Sequence, residues 1–472
     1  MAPWSVELAT AALLVLVLLA DMVAPKGMKI VWPCFLSGSL VIFCIAVLAR
    51  GDQILLGGSY AADGVSWLGK IVIVIGTGLA GAVSMDAPAI REKYHGAFAA
   101  LLLAASLGMM VLVSSRELVT MYVGLETSSV SLYGLAALAK KDVLSLEAGI
   151  KYLVVGALSS GLLLYGLALV YVTAGTTTLD GIRAALGHAP GPLPAVGIVL
   201  VLLGVGFKIT MVPMHVWTPD VYQGAPTPVS AFISVVSKSA GFLFAVRLFS
   251  FAFADLRQVW EPFFMAGAVL TMTVGNLAAI PQGSAKRLLA YSSISQAGYL
   301  LVGFLGSPSS GTSAVLFYLF VYTLANVAAF SAVIAFSSAT GSDRLDDYAG
   351  LARRSPLLAL VFTFSLLSLA GIPPLAGFIG KLYLFSAAME RGYLWLVVVA
   401  ALNSVVSLYY YLLVLRRMYI TEAPVGAGPL RVSFPVKAVL LLTTVGTFWL
   451  GILPGPLMRV FSEVSSRVFP GP

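Results

Sequence analysis

Six charged residues fall inside long apolar runs of this chain: Lys70, Glu126, Lys151, Lys208, Lys238 and Lys381. A charge at mid-membrane costs at least about 2.5–3.5 kcal/mol on insertion scales, so it persists only where it is paired, hydrated or used. Glu126 stands about ten residues into its run, about 15 Å along a helix, among the small hydroxyls Thr127, Ser128, Ser129 and Ser131. A lone buried carboxylate goes neutral, whereas a neighbouring ammonium keeps it charged. Lys208 sits in Gly204-Val205-Gly206-Phe207-Lys208, shortly before Pro213, and proline breaks a helix by removing a backbone donor. Lys238 lies in Ser237-Lys238-Ser239-Ala240-Gly241, deep in the next run. Lys381 follows a second interruption, Gly371-Ile372-Pro373-Pro374-Leu375-Ala376-Gly377-Phe378. One interrupted helix in each half points to a transporter built from repeats, with its site at the breaks. Lysine also suits proton traffic, because a desolvated lysine can give up its proton and arginine practically cannot.

Each residue has a structural alternative. Lys208, Lys238 and Lys381 are too deep to reach the interface, so with Glu126 they are expected to carry protons. Lys70, near the outer end of its run, is expected to snorkel. Lys151, about four residues into its run, is open to either role. His215 lies in the polar stretch Met214-His215-Val216-Trp217-Thr218-Pro219-Asp220, a re-entrant or boundary piece, where it could relay protons or serve as a boundary residue. Ser292, Ser295 and Gln296 could hold bridging water. His95 and His188 fall in loops and are expected to be inert. Gly76-Thr77-Gly78-Leu79-Ala80-Gly81 fits a dinucleotide-binding pattern, but it lies within a spanning run. Small residues at this spacing let membrane helices approach closely. Cys34 and Cys44 are about 15 Å apart along one helix, too far for a disulfide, and three scattered histidines make no metal site.

The elements that hold these residues are helices in lipid. The chain has 472 residues, 59% apolar and 10% charged, against about 25% charged in a soluble domain. Apolar runs of about 20 residues recur throughout. They predict an all-α polytopic membrane protein, one domain without linkers. Its spans lie near 4–24, 29–49, 63–85, 97–114, 116–139, 147–173, 193–213, 227–253, 259–280, 287–305, 311–338, 355–388, 393–415 and 435–456. The first run is too long for a signal peptide and has no basic residue before it, so a retained first span is expected. Lys70, Lys151, Lys208, Lys238 and Lys381 lie within spans. The other basic residues sort by alternate loops into fifteen, including Lys26, Lys29, Arg91, Lys286, Arg287, Arg344 and Arg417, against eight, including Arg50, Arg116, Arg183, Arg247 and Arg257. The richer side is expected to face the cytoplasm, with both termini outside. The net charge of +8 then reflects cytoplasmic loops and not a nucleic-acid partner.

Several strings closely resemble the subunit N family of bacterial respiratory complex I (NADH-quinone oxidoreductase). They are Phe207-Lys208, Pro213-Met214-His215-Val216-Trp217-Thr218-Pro219-Asp220-Val221-Tyr222-Gln223-Gly224-Ala225-Pro226-Thr227-Pro228-Val229, Ser237-Lys238, Lys286-Arg287-Leu288-Leu289-Ala290-Tyr291-Ser292-Ser293-Ile294 and Gly377-Phe378-Ile379-Gly380-Lys381-Leu382-Tyr383. The resemblance runs from about the fourth span to the thirteenth. It implies an antiporter-like, proton-translocating subunit in the bacterial inner membrane. Residues 1–96 would form an N-terminal three-helix part, 97–253 and 259–420 two inverted five-helix repeats with spans 7 and 12 broken, and 435–456 the last helix. It also implies an ion pair of Glu126 and Lys208, a central Lys238 and an exit-side Lys381, and Lys151-Tyr152-Leu153 looks like the family's stretch. No cofactor is implied on this chain; flavin, iron–sulfur clusters and quinone would belong to partner subunits, alongside sister antiporter-like subunits and small helical ones. The chain ends soon after the last span, unlike sister subunit L with its long lateral helix. The photosynthetic counterpart, subunit 2 of the plastoquinone-reducing complex, is similar as well. Two other functions remain: a multisubunit cation/proton antiporter without redox coupling, and a non-conducting scaffold.

Overall fold

The computed structural model describes residues 2–23, 28–88, 90–187, 191–424 and 426–469; Lys26 and His188 lie outside the described residues, as do the side chains of Lys29 and Arg91. The first helices are α1 (Ser5–Val23), α2 (Met28–Leu48), α3 (Gly64–Ser84), α4 (His95–Ser114), α5 (Leu118–Ala136) and α6 (Val143–Ala174). A short surface helix α7 (Leu179–Leu186) precedes α8 (Pro192–Lys208) and α9 (Thr218–Gly224). Then come α10 (Thr227–Ala252), α11 (Arg257–Ala279), α12 (Ala285–Phe304) and α13 (Pro308–Thr340). A single turn α14 (Leu351–Arg354) leads to α15 (Pro356–Ala370), α16 (Ala376–Met389), α17 (Leu394–Tyr419), α18 (Phe434–Ile452) and α19 (Gly455–Val468). Every predicted span has a helix in its place. Ten described helices are long and apolar enough to cross a membrane.

Helices dominate because lipid offers backbone groups no partner. The exceptions lie at the surface or against protein. A small antiparallel hairpin, Gln53–Leu55 with Tyr60–Ala62, sits in the loop after α2 and was not anticipated. The seventh run stops at Lys208, and Thr210 takes φ +63° before α9 begins. The twelfth run divides into α15 and α16, with Gly371 at φ +89°. α10 is continuous but contains two π-helical stretches, Ile233–Ser237 and Val246–Ala252. The first directly precedes Lys238, and single π-turns inside α-helices are frequent at functional sites.

α10 and α13 are almost wholly buried, while α1, α2, α6, α17 and α18 present apolar side chains outward. α3 packs on both sides through the glycines of the apparent nucleotide motif. A Cβ on Gly76 would lie 2.4 Å from Val236 of α10, and one on Gly81 would lie 2.1 Å from Phe35 of α2. Those glycines serve helix contact.

The loops gather on two faces. On one, Arg116 pairs with Asp180 at 2.7 Å, Arg183 with Asp255 at 2.8 Å and Arg50 with Glu463 at 3.1 Å. On the other, Ser284 bridges to Arg344 through the backbone, Arg417 pairs with Asp346 at 3.2 Å, and the Ser338 hydroxyl donates to the Asp86 carbonyl at 2.9 Å. This is the grouping that loop alternation predicted.

Four sequence expectations need correction. Lys70 does not snorkel: it is buried, 2.8 Å from Glu7 of α1, and donates to the Tyr60 hydroxyl at 2.7 Å. Arg247 is not a loop cation but a buried residue of α10, bound by two 2.6 Å contacts to Asp63, the N-cap of α3. Arginine is therefore present within a spanning helix, as the clamp of a fixed ion pair. His95 is buried at the start of α4, 3.5 Å from Asp21. α19 follows the last predicted span; it packs Phe461 and Val464 inward and leaves a polar side exposed.

Candidate proton-conducting site

Glu126 projects from α5, half-buried, and its carboxylate accepts a hydrogen bond from Ser160 of α6. Ser160 in turn lies 3.0 Å from the Tyr122 hydroxyl. Lys208, the last residue of α8, is buried and donates to Ser128 at 3.3 Å and Ser129 at 3.1 Å. Glu126 and Lys208 line one small cavity with Ser129, Tyr133, Ser159 and Ser160. No direct ion pair joins them among the described residues: Glu126 bonds Ser160, and Lys208 bonds Ser128 and Ser129. Separate hydroxyl partners hold each one, so a modest movement could make or break the contact.

α10 brings the second lysine near the first. The stem of Lys208 packs on Gly241, where a Cβ would lie 3.1 Å from its Cγ; Gly241 is three residues beyond Lys238. Tyr152 and Trp217, stacked at 4.4 Å, fill the space beside Phe207. Lys238 is buried, and its ammonium donates to both the carbonyl and the hydroxyl of Ser293 on α12. Tyr322 of α13 donates to the same hydroxyl at 3.0 Å.

One stripe of α12 then carries polar contacts towards the second interruption. Ser292 lies 2.5 Å from the Tyr411 hydroxyl. Gln296 accepts from Tyr318 and donates to the Leu369 carbonyl at 2.9 Å. Lys381 donates to the Ala370 carbonyl at 3.0 Å and to Ser404 at 3.2 Å, with the Tyr299 ring 4.1 Å away. The last carbonyls of a helix lack intrahelical partners, and cations favour that end of the helix dipole. Gln296 and Lys381 therefore satisfy the broken end of α15, and Lys381 is placed by it. Gly371 leaves room for the lysine, since a Cβ there would lie 3.0 Å from Lys381 Cδ.

Lys208, Lys238, Ser292, Gln296 and Lys381 thus form one buried file, with the half-buried Glu126 beside Lys208. Two predicted candidates do not join it. Lys151 is partly exposed and pairs with Glu147 at 2.6 Å and Asp220 at 2.7 Å, a surface cluster that also holds Arg287. His215 sits in the turn before α9 with its Nδ1 unpartnered. Sequence reasoning missed Ser160, Tyr318, Tyr322, Asn326 and Tyr411. Tyrosines count as apolar in a span search, but Asn326, mid-way along α13, is a polar residue at membrane depth and could have been found. No trio of His, Cys, Asp or Glu is arranged to hold a metal among the described residues.

The sequence pattern described as NADH:quinone oxidoreductase/Mrp antiporter, transmembrane, matches residues 115–407, which enclose every lysine of the file. This chain belongs to that family. α1–α4 lie outside the matched segment. The chain is 45% identical over 458 residues to NADH-quinone oxidoreductase subunit N of Moorella thermoacetica, covering 96% of each. It also resembles a chain in respiratory complex I from Thermus thermophilus, with a TM-score of 0.81 and 36% identity over 96% of this chain and 98% of that one. A chain of the Mrp complex from Dietzia shares the fold at a TM-score of 0.87, with 23% identity over 100% of this chain and 98% of that one.

Proposed function

We propose that this chain is an antiporter-like, proton-translocating subunit in the membrane arm of a bacterial NADH-quinone oxidoreductase. Three buried lysines, Lys208 and Lys381 at the two helix interruptions and Lys238 between them in sequence, each held by serine hydroxyls or backbone carbonyls, carry this reading. Flavin, iron–sulfur clusters and quinone belong to partner subunits; this chain supplies the proton path. Residues 97–253 and 259–420 act as two inverted repeats. In support, each holds a closely packed helix pair, α4 with α5 and α11 with α12, and each holds one interrupted helix. The lysine- and arginine-rich loops face the cytoplasm and both termini face outside.

A proton taken up from the cytoplasm rests on Lys208 or Lys238, crosses along the α12 stripe and leaves from Lys381. Glu126 governs the first step: its carboxylate can stay with Ser160 or approach Lys208, and an approaching negative charge favours the protonated ammonium. Electron transfer elsewhere in the complex would drive that movement. The Mrp antiporter reading shares the family pattern and the fold, whereas the relative at 45% identity, a subunit N, covers nearly the whole chain. Purification in mild detergent through a tag on this chain separates the two. Co-purifying flavin, iron–sulfur signals and NADH:quinone activity are expected; a complex without redox centres would overturn the proposal.

A further inference from the structure

Lys238 heads a hydrogen-bonded arm that runs along α13. The Tyr322 hydroxyl donates to Ser293 Oγ at 3.0 Å, and Ser293 Oγ also accepts from Lys238. Asn326, one helical turn further along α13, donates through Nδ2 to Tyr322 at 3.1 Å and to Ser234 of α10 at 2.6 Å. All five side chains are buried. Asn326 Oδ1 is buried and has no partner, a cost of about 1–3 kcal/mol unless something binds it. Beyond it, on the face expected to be cytoplasmic, lies a cavity of about 370 Å³ lined by Asp142, Gln223, Thr227, Lys286, Ser338 and Asp343, among others. Thr227 of its lining is seven residues from Ser234, about 10 Å of helix. The buried hydroxyls of Ser230 and Ser331 lie in the helices between them.

We propose that Tyr322 and Asn326 form the proton-delivery arm of Lys238, fed by water from this cavity. The inference rests on Lys238 being a proton carrier. Asn326 is a positioning residue: an amide does not pass protons on, but by donating to the Tyr322 oxygen it aims the phenolic proton at Ser293, while Oδ1 holds a water. When Lys238 is neutral, the Ser293 hydroxyl proton passes to Nζ. Ser293 takes the Tyr322 proton, Tyr322 takes one from the water, and the hydroxide so left is reprotonated from bulk through the water of the cavity. One proton moves from bulk to lysine, and each hydroxyl ends as it began.

The test uses the complete complex in proteoliposomes, with Tyr322→Phe and Asn326→Val beside Lys238→Met. Tyr322→Phe removes one oxygen and keeps the ring. NADH-driven proton uptake should fall at least tenfold in Tyr322→Phe, and the residual rate should show a larger solvent deuterium effect than the parent. Asn326→Val should behave alike, and a merely structural loss would leave the isotope effect unchanged. Parent-like uptake in Tyr322→Phe with loss in Lys238→Met overturns the delivery arm and leaves Lys238 standing. Parent-like uptake in both overturns the arm and the role of Lys238 together. Should Tyr322→Phe not assemble, Asn326→Val and Ser234→Ala decide by the same two readouts.

Discussion

Lys381→Met separates function from fold. The substitution removes a buried ammonium whose insertion costs about 2.5–3.5 kcal/mol. It also forfeits two hydrogen bonds from a charged donor, to the Ala370 carbonyl and to Ser404, worth about 1.5–3 kcal/mol each. The net change lies between about zero and 3.5 kcal/mol of destabilisation, inside the usual margin of 5–15 kcal/mol. Methionine is close to lysine in length, so the space beside Gly371 and Tyr299 stays filled. The complex should therefore assemble. Proton transfer should not survive, because a positioned transfer group contributes about 10²–10⁴-fold and methionine offers no proton. The assay is NADH-driven quenching of a pH-sensitive dye in proteoliposomes, with electron transfer to an artificial acceptor ahead of the membrane arm as the control. Quenching should vanish while the control stays at the parent level. An assembled complex that pumps at the parent rate would refute the proton role of Lys381 and favour the scaffold reading.

Glu126→Gln keeps the Ser160 contact but removes the charge. Two unit charges about 6 Å apart at an effective dielectric of about 20 interact by about 2.8 kcal/mol, so pumping should slow by up to about a hundredfold, with Glu126→Asp between; equal rates in all three proteins would count against a gating role. The Glu7–Lys70 pair should behave as a buried clamp: Lys70→Met or Glu7→Leu alone should destabilise by about 3–5 kcal/mol, and the double variant should recover most of it. Retention of this subunit in the complex on heating reads that out, and additive losses would contradict it.

Much of this was legible in the sequence because membrane depth makes polarity expensive. Lys208, Lys238 and Lys381 stood out from apolar runs, and both interruptions were marked by proline and glycine. What escaped was pairing between distant helices. Lys70 read as a snorkelling residue because nothing local shows that Glu7, 63 positions earlier, meets it at 2.8 Å. Arg247 read as a loop cation because its partner, Asp63, lies in another hairpin. The tyrosine hydroxyls beside α12 escaped for another reason: the ring satisfies an apolar period, and only the packed structure shows that the tips meet Ser292, Ser293 and Gln296. α19 escaped because 14 residues with a polar side resemble a loop more than a span.

The most direct test of the central claim is proton uptake by proteoliposomes containing the complex with Lys238→Met in this chain. The buried file predicts an assembled complex with intact NADH oxidation at an artificial acceptor and no NADH-driven uptake. Uptake at the parent rate would contradict a proton path through this chain.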